Sequence, residues 1–103
     1  MRQPAVADRF YPGSPETLAQ TLAKLLPTGS SSGKQRALAV ISPHAGYMYS
    51  GALAATTLAS VEIPETVVII GPNHRGQGAT IALSTSVWNM PLGKVPVDQE
   101  FCE

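Results

Sequence analysis

His44 and His74 are the residues of this chain best suited to chemistry near neutral pH, because imidazole both exchanges a proton there and binds transition metals as a neutral ligand. They are its two histidines. Each falls just past an apolar run, one in Ser42-Pro43-His44-Ala45-Gly46-Tyr47 and the other in Gly71-Pro72-Asn73-His74-Arg75-Gly76. A histidine after a strand, taken singly, is ordinarily a loop residue hydrogen-bonded to backbone. Two in equivalent positions suit an acid/base pair or the first ligands of Zn, Fe or Cu, and a metal site then requires a third donor.

The residues around them offer further candidates. Tyr47 and Tyr49 alternate about Met48, so both rings can face one way and line a site or stack on an aromatic ligand; packing beneath the loop is the alternative. Asn73 is placed to orient His74 or to donate to a bound oxyanion, although Asn after Pro is also an ordinary turn residue. The carboxylates supply no obvious partner: Asp8 lies in an N-terminal arm, Glu62 and Glu65 flank a connection at the opposite strand ends, and Asp98 is distant. Cys102 reads as a hydrophobe or bystander rather than a ligand. A phosphate loop is not indicated, since neither Gly-x-x-x-x-Gly-Lys-Ser/Thr nor Gly-x-Gly-x-x-Gly occurs.

The elements that would position the histidines follow from local pattern. Pro4 to Pro12 lacks helical periodicity and reads as an extended arm. Ser14 then caps a helix from about Pro15 to Leu26, with Pro15 at its first position and Leu18, Leu22, Leu25 and Leu26 at helical spacing. Pro27 ends it, and Thr28 to Lys34 reads as a flexible Ser/Gly loop. Ala37–Ile41 and Thr66–Ile70 are continuous apolar runs of the kind found in strands buried on both faces. Between them Ser50 is expected to cap a helix from about Gly51 to Val61. Strand, helix and strand make a βαβ unit whose strands run parallel, and His44 and His74 then leave the same sheet edge. Adjacent strands lie ~4.8 Å apart, within the reach of two imidazoles. Thr80–Leu83 and Ser86–Trp88 read as further strands, Pro91-Leu92-Gly93 as a turn, and Asp98 as the cap of a closing helical turn.

The fold class expected from this order is α/β, with a largely parallel or mixed sheet and flanking helices. The 103 residues, 44% of them hydrophobic, suit one small domain spanning 1–103. Seven basic residues balance seven acidic ones, so no long-range field favours nucleic acid or anionic membrane. The opening residues lead into no apolar signal segment and no run is long enough to span a bilayer, so the expected location is the cytoplasm.

Several segments together carry a resemblance. Pro4 to Ala7, Arg9-Phe10-Tyr11-Pro12-Gly13, Ser42 to Gly51, Gly71 to Gly76 and Pro91-Leu92-Gly93 occur in the order seen in the Memo-like family (AmmeMemoRadiSam system protein B). The resemblance implies a LigB-like three-layer α/β/α fold, related to the class III extradiol dioxygenases with their non-haem iron. It also implies that His44 and His74 are metal-site histidines, the metal being Fe(II) or Cu with Zn as a further option. Family members are roughly two to three times this length. The resemblance therefore implies that these residues are the N-terminal part of a larger domain whose remaining site residues, a metal-ligating Cys included, lie elsewhere; Cys102 does not match that position. Two functions are implied: a metal-dependent, dioxygenase-like oxidoreductase, or a non-catalytic adaptor using the same cleft for a peptide or partner protein. A small molecule or peptide in the cleft, a radical SAM partner by family association, and self-association through an open sheet edge are the partners expected.

Overall fold

The computed structural model describes residues 1–28 and 33–103. Most of the expected loop from Thr28 to Lys34, namely 29–32, lies outside the described residues. Helix α1 spans Pro15–Leu25, as its local signals require: the Ser14 hydroxyl oxygen accepts from the Thr17 N–H at 3.3 Å and Pro15 occupies the first turn. Its most buried side chain is Leu18.

Helix α2 spans Tyr47–Ala59 and starts four residues earlier than the sequence suggests. Gly46 stands at its cap without a side-chain bond, and the Ser50 hydroxyl instead donates to the Ala45 carbonyl at 3.1 Å. The helix packs on α1 through Gly51, where an added Cβ would lie 3.0 Å from Leu25 Cδ1 and 3.2 Å from Tyr47 Cβ. Leu18, Ala55 and Val61 form the buried apolar centre beneath this pair.

Strands β1 (Trp88–Met90) and β2 (Gly93–Val95) pair antiparallel, with Met90 opposite Gly93 across the Pro91-Leu92 turn. Gly93 has φ +146°, a conformation that suits glycine. The N-terminal segment adds to this hairpin. Arg2 N–H donates to the Val87 carbonyl at 2.7 Å, Asn89 N–H donates to the Arg2 carbonyl at 2.8 Å, and the Arg2 guanidinium lies 4.2 Å from the centre of the Trp88 ring. A short α3, Gln99–Cys102, closes the chain with the Asp98 side chain accepting from Phe101 N–H.

The parallel strands expected at Ala37–Ile41 and Thr66–Ile70, and the further strand expected at Thr80–Leu83, are not formed among the described residues. The architecture is a small mixed α/β one whose sheet, among the described residues, is the two-stranded antiparallel hairpin. The reason is physical: a parallel strand is held by ladder partners and by layers on both faces, and the described residues place neither there. Ile41, Ile69, Ile70 and Ile81 are 96%, 89%, 92% and 91% exposed. What does form is the start of the βαβ unit. Gln35 and Val61 make a parallel bridge, through Gln35 N–H to the Ser60 carbonyl and Glu62 N–H to the Gln35 carbonyl.

The arm is also more folded than expected. Phe10 and Arg9 N–H both donate to the Val6 carbonyl, and Asp8, at φ +63°, returns its carboxylate to Gly13 N–H at 2.7 Å. A Cβ at Gly13 would stand 2.6 Å from Asp8 Oδ2, so a side chain there would have to displace the Asp8 carboxylate.

Candidate functional site

The bridge at Gln35 and Val61 sets two segments off in the same direction, and their far ends return together. The His44 and His74 rings have centres 5.2 Å apart and planes inclined at 43°. Both side chains are exposed. Two imidazoles bound to one ion at ~2.0–2.1 Å, with a tetrahedral angle between them, have ring centres about 5 Å apart. The separation of the two ring centres matches that spacing. Among the described residues no cluster of three or more His, Cys, Asp or Glu side chains is assembled.

Each histidine is carried by a loop with its own fastening. Asn73 secures the second: its side-chain amide donates to the Gln77 carbonyl at 2.8 Å, while its oxygen accepts from Arg75 N–H at 3.3 Å and Gly76 N–H at 3.0 Å. Those bonds wrap the chain around His74, and Gly76 at φ +62° permits the turn. The Asn73 side chain is thus committed to its own loop. It holds the turn that carries His74.

The first loop is anchored by α2 and the folded arm. Tyr47 N–H donates to the Phe10 carbonyl at 2.7 Å, and the Tyr47 ring lies 5.9 Å from that of Tyr11. An open cavity of 210 Å³ lies beside His44, walled by Val6, Phe10, Tyr11, Pro43, Tyr47 and Ala54. Tyr11 and Phe10 were not singled out from the sequence as site-lining; a Pro-rich arm carrying two aromatics was the available signal. Burial, and then Tyr47 nearby, hold the Tyr11 hydroxyl above the usual phenol range.

Tyr49 departs from the expected arrangement. The alternation of Tyr47 and Tyr49 brings rings to one side only in an extended segment, whereas both residues are helical, and positions two apart on a helix diverge. Tyr47 lines the cavity; Tyr49 is 83% exposed and does not. Cys102 sits in α3.

The sequence profile of Memo-like proteins matches residues 2–103. The chain belongs to the Memo-like family. Among curated relatives, a MEMO1 family protein of Archaeoglobus fulgidus is 47% identical over 103 residues, which is all of this chain and 38% of the relative. Those of Methanosarcina mazei and Thermococcus onnurineus are each 44% identical, over 103 and 108 residues, covering all of this chain and 38% and 37% of their own lengths. The chain thus spans well under half the length of the Memo-like relatives it matches. No solved structure matches the chain. No helix among the described residues is long and apolar enough to cross a membrane.

Proposed function

We propose that this Memo-like chain contributes His44 and His74 as two ligands of a divalent transition-metal site, Fe(II) or Cu, with Zn as a further option, in a metal-dependent, dioxygenase-like oxidoreductase. The 5.2 Å separation of the two rings carries this reading. Residues 1–103 form the N-terminal part of a larger LigB-like three-layer domain, acting in the cytoplasm, and a donor from outside the described residues completes the ligand set. A bound redox-active ion would supply electron transfer and coordination positions open to a small ligand.

The chain's own residues have distinct tasks in that setting. His44 and His74 each offer an imidazole ring nitrogen. Asn73 keeps the second loop folded, so that less ordering is left to be done when the ion arrives. The Tyr11, Tyr47 and Pro43 wall gives the His44 side of the site an apolar lining that admits a small molecule or a peptide side chain. That lining also favours the second reading, a non-catalytic adaptor that binds a peptide or partner protein, a radical SAM protein included, in the same cleft.

Cu(II) titration followed by calorimetry and electron paramagnetic resonance tests the ligand assignment. The expected spectrum shows coupling to two imidazole nitrogens, with both the coupling pattern and the affinity degraded in His44→Ala and His74→Ala alike. A spectrum unchanged in either variant refutes it. Oxygen uptake with catechols by a metal-loaded full-length Memo-like relative separates the readings, since no uptake with Fe(II), Cu(II) or Zn(II) leaves the adaptor.

A further inference from the structure

We infer that Tyr11 and Tyr47 are a site of oxidative cross-linking, their phenol rings being coupled through a carbon–carbon bond when a peroxide enters the cavity beside His44. The ring centres lie 5.9 Å apart with planes inclined at 43°, within the range over which aromatic rings pack edge to face. Tyr47 is also one of the groups, after burial, that hold the Tyr11 hydroxyl above the usual phenol range. Such an effect acts between the oxygens, so the hydroxyls are neighbours as well as the rings.

The pair is set apart from Tyr49, the third tyrosine of the chain. Tyr11 and Tyr47 are half-buried and both wall the open 210 Å³ cavity, which has room for a molecule as small as a peroxide. Tyr49 is 83% exposed and stands outside that wall. The backbones that carry the two rings are fastened too. Asp8 N–H donates to the Tyr11 carbonyl at 2.7 Å, and Tyr47 N–H donates to the carbonyl of Phe10, the residue before Tyr11, at 2.7 Å. A radical formed on either ring therefore meets the other ring before it meets a second molecule, as effective concentration favours.

In the coupling each hydroxyl gives up one electron and its proton, leaving two phenoxyl radicals. These join at ring carbons beside the oxygens, and the hydrogen on each joined carbon moves to its oxygen, which restores both hydroxyls and both aromatic rings. One carbon–carbon bond thus replaces two carbon–hydrogen bonds. The two electrons and two protons released convert hydrogen peroxide to two water molecules as its oxygen–oxygen bond breaks. The new bond ties the N-terminal arm to the first turn of α2 and fixes one wall of the cavity against another.

The test is photo-oxidation of the dilute 103-residue chain with tris(bipyridyl)ruthenium(II) and persulfate, a peroxide that accepts the two electrons as two sulfate ions while the protons pass to the buffer. The expected product is a monomer lighter by two hydrogens, with dityrosine fluorescence and a Tyr11–Tyr47 link in its peptides. Tyr11→Phe and Tyr47→Phe should each lose the monomeric product, whereas Tyr49→Phe should form it as the parent does. In urea the preference for this link should disappear, since the fold holds the two rings together. The pair His44→Ala/His74→Ala should cross-link normally, which distinguishes failure of this inference from failure of the metal reading. Coupling only between molecules, a link through Tyr49 in the folded chain, or oxidised protein with no dityrosine would each overturn it.

Discussion

Replacing Asn73 by Ala is expected to weaken metal binding without unfolding the chain. The side chain makes three hydrogen bonds to its own loop, to the Gln77 carbonyl and from Arg75 and Gly76 N–H. The loop is exposed, so each bond competes with water and takes the low end of the usual net value, about 0.5 kcal/mol, or about 1.5 kcal/mol for the three. None of that is lost from the buried centre at Leu18, Ala55 and Val61. Global stability measured by urea should therefore change by less than about 0.5 kcal/mol, as for surface substitutions. When an ion binds, however, the loosened loop must be ordered again, and 1.4 kcal/mol corresponds to about tenfold in affinity. Calorimetric titration with Cu(II) should thus give a dissociation constant about tenfold higher, and the Arg75 and Gly76 amides should exchange faster before the ion is added. An unchanged dissociation constant alongside faster exchange would refute the claim that this loop positions His74. A loss of affinity matched by global unfolding would show that Asn73 supports the fold instead.

Three other perturbations address the scaffold. Leu18→Ala removes the most buried large side chain, 5% exposed, and should cost about 2–3 kcal/mol by urea denaturation; a loss under 1 kcal/mol would place the stabilising centre elsewhere. Gly51→Val puts methyl groups where Leu25 Cδ1 and Tyr47 Cβ already lie 3.0 and 3.2 Å from a Cβ, and should destabilise the α1–α2 contact by about 1–3 kcal/mol, seen as a lowered Tm. Tyr11 should ionise above the usual phenol value of 10.0. Its stabilising effect is complete below that value and is lost as pH rises through the raised one; absorbance titration near 295 nm should show a late component that Tyr11→Phe removes.

What the sequence made legible was whatever rests on local chemistry. The Ser14 cap, Pro15 and the leucine spacing located α1 to within one residue, and Pro91-Leu92-Gly93 located the turn of the hairpin. The start of α2 was misplaced because Gly46 caps it with no side-chain bond, so Ser50 looked like the better cap. The rings of Tyr47 and Tyr49 do not share a side as expected for the same reason, since the helix already runs where an extended segment was expected. The approach of His44 to His74 was legible because each follows an apolar run on either side of one helix, a relation of chain order and not of any single residue. The parallel sheet was not realised, because apolar content in Thr66–Ile70 and Ala37–Ile41 specifies that a strand wants partners but cannot supply them. The bonds that Asn73 makes to Gln77, Arg75 and Gly76 were not legible, because they depend on the fold of the next four residues.

The stacking of Arg2 on Trp88 ties together residues 86 positions apart, and that separation governs kinetics. Closing so large a loop carries an entropic penalty that grows with the logarithm of its length, so this contact is among the least favoured to form early. Trp88 is the sole tryptophan, so its emission reports both the closing of the hairpin and the arrival of Arg2 on it. In a refolding trace the last fluorescence change should lag the helical signal of α1 and α2, reporting the moment when the N-terminal segment joins the hairpin.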